Sequence, residues 1–142
     1  MESVEKKKKH LEMIENVIER MGNNSFQLKG WAVTLVALVG AFAAQGTDKR
    51  FFLLAFVPLL AFWFLDSFYL QMERKYKILY NNVAKKSEAD IDFNMDTRDI
   101  IIEGAEADRI CFCSCLFANT EWPFYLIIAG VVGVLALILI LT

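Results

Sequence analysis

The sequence contains a single histidine, His10, and lacks the patterns on which most enzyme active sites are built. One histidine leaves no Ser/His/Asp set for nucleophilic catalysis, and there is no His-Glu-x-x-His zinc motif and no glycine-rich phosphate loop. Paired carboxylates occur only in acidic stretches, where solvation explains them. We therefore expect a protein that is not an enzyme and that binds no cofactor.

Cysteine is also scarce, and Cys111, Cys113 and Cys115 alternate with single residues. Cysteines this close together exclude a disulfide framework. A metal site is one interpretation of the run. Zinc-binding cysteines are usually separated by about two to four residues, however, and the only histidine is remote. The spacing therefore favours packing beside a membrane over metal binding, and we expect no metal.

A strong charge of one sign is absent as well, since 15 Lys and Arg against 17 Asp and Glu give a formal net charge of −2. No basic stripe with interleaved aromatic residues is present, so the sequence does not indicate a nucleic-acid partner. Hydrophobic residues, in contrast, make up 56% of the chain, and its mean hydropathy is +0.39.

The hydrophobic residues are concentrated in three blocks, residues 26–45, 51–70 and 124–141, with the charges between them. About 20 apolar residues cross a bilayer as a helix. The sequence therefore predicts an all-α integral membrane protein with three transmembrane helices and a cytoplasmic helical extension. The alternative is that the first two blocks form a buried hairpin in a soluble protein.

This interpretation divides the chain into four segments. They are a cytoplasmic amphipathic helix (1–22), a transmembrane hairpin (26–70), a cytoplasmic helix extension and acidic linker with an interfacial helix (71–121), and a C-terminal transmembrane helix (122–142). Gly, Asn and Ser at residues 22–25 predict a break after the first helix. A second, uninterrupted helix is predicted from about residue 51 to residue 86, since no Gly and only one Pro falls in it.

Apolar residues at heptad spacing predict that the first helix packs against the extension of the second. We call these residues the seam: Leu11, Ile14, Ile18, Met72, Tyr76, Leu79 and Val83. Because the loop between the first two spans is short, they must be antiparallel neighbours, and residues at equal height have numbers that sum to roughly 96. Lys and Arg are concentrated before the first span and after the second, which predicts a cytoplasmic N-terminus and an external C-terminus.

Asp66 and Lys29 are the only charged residues inside the first two blocks, and the hairpin rule places them at nearly equal height. An ionisable group in a transmembrane helix tends to face the bundle interior or a water-filled path. We expect the two side chains to form an intramembrane charge pair near the cytoplasmic end. A simple interhelical ion pair is favoured, and a conducting or gating role for Asp66 is the alternative.

Three further features concern the shape of the spans. Pro58 is predicted to kink the second helix in mid-span. Two small-xxx-small pairs favour close helix packing within or between subunits: Gly40 with Ala44, and Ala129 with Gly133. Together with the two halves of the seam, one on each helix, these pairs predict a homo-oligomer.

The layout of the chain resembles a known group of small bacterial membrane proteins. The resemblance is carried by four runs: KKKHLEMIENVIERM-x-NNSF, KGWAVTLV, FWFLDSFYLQMERKY and WPFY. In layout they are similar to the SLATT-type membrane effectors of anti-phage conflict systems, which typically have two spans rather than three. The resemblance implies an oligomeric effector of the bacterial inner membrane that breaches the bilayer when a cytosolic protein or nucleotide signal releases it.

Two other function classes stay open from the sequence. One is a membrane-anchored structural or adaptor subunit that recruits a cytosolic partner. The other is a small ion channel or transporter, although few polar residues lie in the blocks to form a substrate site.

Overall fold

The computed structural model describes residues 2–45, 53–98, 100 and 104–141, and every regular element in those ranges is helical. The prediction of an all-helical fold is confirmed for this part of the chain. Its α-helices are α1 Glu2–Ala44, α2 Phe56–Lys85, α3 Ala105–Ile110, α4 Phe112–Leu116 and α5 Trp122–Leu141, with a 3-10 turn at Glu88–Asp90.

α1 continues without interruption through residues 22–25, so the predicted break there is wrong. Gly and Asn disfavour a helix interior by only about 1 kcal/mol each or less, and packing along a second long helix outweighs so small a cost. Ser25 does not cap a new helix. Its Oγ instead accepts a hydrogen bond of 3.0 Å from Nζ of Lys29, one turn later in the same helix.

α1 and α2 form an antiparallel hairpin, and the seam lies between them. Six of the seven seam residues belong to one apolar cluster: Leu11, Ile14, Ile18, Tyr76, Leu79 and Val83. Met72 is half-buried outside this cluster. Because the two halves of the seam cover each other within one chain, they do not provide the free surface for a second copy on which the homo-oligomer prediction partly relied.

Polar contacts close the end of the hairpin that carries the N-terminus. Nζ of Lys7 donates hydrogen bonds of 2.9 Å to the backbone carbonyls of Ala84 and Lys86. These carbonyls lie at the C-terminal end of α2, where backbone carbonyls have no N–H donor within the helix. Ser3 donates a hydrogen bond to Glu88 beside them.

Pro58 lies in the first turn of α2, because the helix begins at Phe56 after a 3-10 turn at residues 53–55. The predicted mid-span kink is therefore wrong. The N–H groups of a first turn have no acceptor within the helix, so the N–H that proline lacks is not missed there.

α5 packs against the hairpin and runs antiparallel to α2. Two apolar clusters join the three helices. One contains Ala32, Leu59 and Tyr125, and the other contains Ala55, Val132 and Ala136. α4 also packs on α2, where the indole of Trp63 donates a hydrogen bond of 3.1 Å to the carbonyl of Leu116.

Two helices are long and apolar enough to cross a membrane, within the described segments Ser3–Phe42 and Leu53–Lys85. The rest of the chain buries only 11% of the most apolar window in the first and 22% in the second. A core helix of a soluble protein would be mostly buried, so this exposure weighs against the soluble hairpin. The described apolar stretch of α5, Trp122–Ile138, is shorter.

Candidate functional site

Three helices converge on the ammonium group of Lys29, which extends from α1. Its Nζ lies 2.6 Å from Oδ2 of Asp66 on α2. It also lies 3.0 and 3.2 Å from the two carboxylate oxygens of Glu121, the residue that precedes α5. One lysine therefore joins a carboxylate of α2 to one in the turn that leads into α5.

Tyr125 completes this group from the first turn of α5. Its hydroxyl donates a hydrogen bond of 3.0 Å to the same Oδ2 of Asp66. The ring of Tyr125 stacks on the indole of Trp63, with centroids 6.3 Å apart and planes inclined by 25°. We call Lys29, Asp66, Glu121 and Tyr125 the charge cluster.

The charge cluster is buried and unbalanced. Asp66 is 0% exposed and Glu121 3%, whereas the Lys29 side chain is 20% exposed. With both carboxyl groups ionised, two negative charges face one positive charge. Oδ1 of Asp66 is buried and has no hydrogen-bond partner among the described residues. Burying an uncompensated charge or an unpaired polar atom is costly, so this fully ionised form is unfavourable.

Glu121 lies in the turn before α5, and its pKa reflects this excess of negative charge. Burial, followed by the effect of the neighbouring Asp66 carboxyl group, raises the pKa of Glu121 from 4.5 to about 7, while Lys29 acts to lower it. The N-terminus of α5 also favours an anion at this position. A protonated Glu121 would restore charge balance around Lys29.

The structure brings together the two residues that the hairpin rule paired. The geometry of Lys29 and Asp66 is that of an interhelical ion pair, and a conducting role for Asp66 stays a prediction. The cluster contains no nucleophile paired with a base. No group of three or more His, Cys, Asp or Glu side chains suited to a metal ion occurs in the part of the chain that the structure describes.

The small-xxx-small residues lie in different surroundings. Ala129 packs on the cluster around Leu59. A Cβ built on Gly133 would meet no atom within 4 Å, and the same holds for exposed Gly130. Gly40 is half-buried, and the side chain of Ala44 lies outside the described residues.

The three cysteines lie around α4 in different environments. Cys111 and Cys113 are exposed, while Cys115 is buried. A guanidinium nitrogen of Arg74 donates to Sγ of Cys115 at 3.6 Å. Burial nevertheless raises the pKa of the Cys115 thiol above 9.0, against the opposing effect of Arg74.

Sequence reasoning missed Glu121, Tyr125 and His10. The signal for Glu121 was available, because it is the last charge before an apolar run that the predicted topology starts on the side of Lys29 and Asp66. His10 is buried in the hairpin, where its Nε2 donates to the carbonyl of Asn94 at 3.2 Å. The ring of Phe93, a residue with a φ of 53°, packs on it with centroids 5.3 Å apart.

In comparisons with protein-family models, curated proteins and solved structures, nothing matches this chain.

Proposed function

We propose that this chain is a three-span protein of the bacterial inner membrane that associates with further copies and permeabilises the bilayer. The observation that carries the proposal is the apolar exterior of the helices. Large apolar side chains point outward from every long helix: Trp31, Leu38 and Phe42 on α1, Val57, Leu60 and Phe64 on α2, and Leu126, Ile127, Val131 and Leu135 on α5. A lipid environment removes this surface from water.

Helix lengths support a topology with a cytoplasmic stalk. α5 has 20 residues and is about 30 Å long, which matches the hydrocarbon thickness of a bilayer. α1 has 43 residues and is about 65 Å long, so more than half of it projects beyond the bilayer. We call this projecting half of α1 and the end of α2 the stalk. We assign the stalk to the cytoplasm, because it carries most of the Lys and Arg residues.

The charge cluster supports the same arrangement. Lys29, Asp66 and Glu121 lie at the end of the apolar segments that is next to the stalk, where a charge costs less than at the bilayer centre. They face one another inside one subunit rather than lipid. A signal that pulls α5 away from the hairpin would expose these charges to the bilayer, and this is the step by which we expect the protein to breach it.

Association between copies requires a surface that one chain leaves open. The seam is buried within the hairpin, but a Cβ added at Gly130 or Gly133 of α5 would meet no atom within 4 Å, so the helix surface is open at these two positions. Small residues on a lipid-facing helix allow another helix to approach closely. The anti-phage role itself is supported by the resemblance in layout to SLATT-type effectors.

Induced expression in bacteria, followed with a membrane-potential dye, tests the proposal. We expect rapid depolarisation and growth arrest with the wild-type chain. Gly133→Leu should abolish both by blocking contact between copies, because a Cβ added at this position meets no atom of the described chain within 4 Å. Val134→Leu, which adds bulk at an exposed neighbouring position, should act as wild type. Normal potential and growth at equal membrane expression of the wild type would overturn the proposal.

A membrane-anchored adaptor is the second candidate, and one observation favours it. The stalk has its own apolar core of Ile14, Leu79 and Val83, covered in part by Ile91 and Met95 of the linker. Such a preformed helical hairpin can present a surface to a cytosolic protein. Harmless expression, together with stoichiometric co-purification of one protein that is lost when the stalk surface is mutated, would favour the adaptor.

A further inference from the structure

We propose that the charge cluster is a proton-binding site, which holds one proton between the carboxyl groups of Asp66 and Glu121. The inference goes beyond the proposed activity, because it concerns the state of the folded subunit whether or not the bilayer is permeabilised. It depends on the unequal distribution of hydrogen-bond donors around the two carboxyl groups.

Few hydrogen-bond donors reach the cluster, and those that reach Asp66 contact only one of its two carboxylate oxygens. Oδ2 of Asp66 accepts from both Lys29 and Tyr125. Oδ1 of the same carboxylate accepts from no described residue, although Asp66 is fully buried. The remaining donor capacity of Lys29 goes to Ser25 and to the two oxygens of Glu121. A buried carboxylate oxygen without a donor is a site for a proton or a small cation.

A proton is the ligand that the surroundings favour. The ammonium group of Lys29 occupies the space between the carboxylates, where a metal cation would have to sit, and it would repel one. A carboxyl proton, in contrast, adds a donor without adding bulk. Shared between the two side chains, it supplies the pair with a donor and brings the net charge of the cluster from −1 to zero.

The charged and titratable groups that face Glu121 come from every element around it. They are Lys29 on α1, Asp66 on α2, the Cys115 thiol on α4 and Tyr125 on α5. Lys29 is positive, and so is Arg74 of α2, which contacts Cys115. Burial and Asp66 outweigh the effect of Lys29 on Glu121, so the surroundings favour the protonated form. The partial exposure of the Lys29 side chain provides a route to solvent for the proton.

The sign of the pH effect follows from linkage. A carboxyl group whose pKa is raised in the folded state stabilises that state when it is protonated. The contribution is complete below the ordinary pKa of 4.5 and is lost as the pH rises through about 7. Above that range the extra negative charge repels Asp66 and weakens the attachment of α5 to the hairpin.

Infrared spectroscopy of the purified full chain in detergent tests the site directly, because a protonated carboxyl group has its own C=O stretching band and histidine does not contribute there. We expect a buried carboxyl band that disappears with a midpoint near pH 7. Glu121→Gln and Asp66→Asn should each remove it, because the amide can donate to the remaining carboxylate. Asp96→Asn, which changes a half-buried carboxylate that pairs with Arg98 outside the cluster, should leave the band unchanged.

The thermal stability of the same proteins gives an independent measurement. The midpoint of wild-type melting should fall as the pH rises from about 6 to about 8, and that of Glu121→Gln should stay level. Absence of the titrating band from the wild type would overturn the proposal, as would its persistence in both amide variants. The wild-type spectrum decides the matter even if a variant fails to fold.

Discussion

The hydroxyl of Tyr125 donates a hydrogen bond of 3.0 Å to Oδ2 of Asp66, and both side chains are buried between α2 and α5. Tyr125 belongs at the same time to the apolar cluster around Leu59. The attachment of α5 therefore combines apolar packing with one hydrogen bond to a charged acceptor, and these two contributions can be separated by mutation.

Tyr125→Phe keeps the ring and removes the hydrogen bond to Asp66. Hydrogen bonds to charged groups contribute about 1.5–3 kcal/mol, and we expect a loss of stability in this range. Tyr69→Phe is the matched control, because the Tyr69 hydroxyl makes no hydrogen bond to a described residue. Thermal melting in detergent, followed by circular dichroism, compares the variants. Equal melting of Tyr125→Phe and the control would show that the hydrogen bond contributes nothing.

Ile14→Ala tests the core of the stalk. Ile14 is fully buried against Leu79 and Val83, and truncation of such a residue costs roughly 2–5 kcal/mol. Met13→Ala, on the exposed side of the same turn, should change stability by no more than about 0.5 kcal/mol. Amide hydrogen exchange should become faster in the stalk of Ile14→Ala only. Unchanged exchange there would mean that the seam does not hold α1 and α2 together.

Much of the hairpin could be predicted, because its geometry depends on quantities that are local in sequence. Two antiparallel helices rise equally per residue, so a short loop is enough to place Lys29 beside Asp66. The seam followed from the spacing of apolar residues. These predictions needed no knowledge of the third helix.

Other features depend on packing that the sequence does not encode locally. Continuity of α1 through residues 22–25 is decided by the partner helix and not by the low helix propensity of Gly and Asn. The place of Pro58 depends on where α2 begins. Glu121 escaped attention because the contact joins residues 92 positions apart, and only the lateral position of α5 brings it to Lys29.

The cysteines should differ in their reaction with a maleimide. We expect fast modification of exposed Cys111 and Cys113 and slow modification of Cys115, because burial shields its thiol and its raised pKa leaves less thiolate. Mass spectrometry after brief labelling of the folded protein, with the denatured protein as reference, checks this. Equal rates for the three would contradict it. Replacing the exposed pair by Ser should affect activity less than Asp66→Asn does.

The proposed topology predicts that the C-terminus is outside. A Thr142→Cys variant without the native cysteines should react with a membrane-impermeant maleimide in intact spheroplasts. Ser3→Cys in the same background is the control for the stalk, and it should react only after lysis. Thr142 itself lies outside the described residues, so the prediction comes from the charge bias and the number of spans. Labelling of residue 142 only after lysis would refute the topology.

Lys29→Met should be the most damaging single change in the charge cluster. It leaves the buried carboxylates of Asp66 and Glu121 without their cation, and breaking a buried ion pair in this way costs on the order of 3–5 kcal/mol. Lys9→Met removes an exposed lysine that pairs with Glu12, and should cost about 1 kcal/mol or less. Membrane expression and thermal melting in detergent measure both effects.

Two rescue variants show whether this loss comes from charge. Adding Asp66→Asn and Glu121→Gln to Lys29→Met makes the cluster neutral and should recover most of the stability, because hydrogen bonds can then replace the ion pairs. The swap of Lys29→Asp with Asp66→Lys keeps the charges and should recover part of it. If Asp66→Asn alone leaves assembly intact but changes ion flux or toxicity, Asp66 lines a conducting path. If Asp66→Asn acts as wild type in assembly, ion flux and toxicity, the cluster neither holds the helices together nor lines a conducting path.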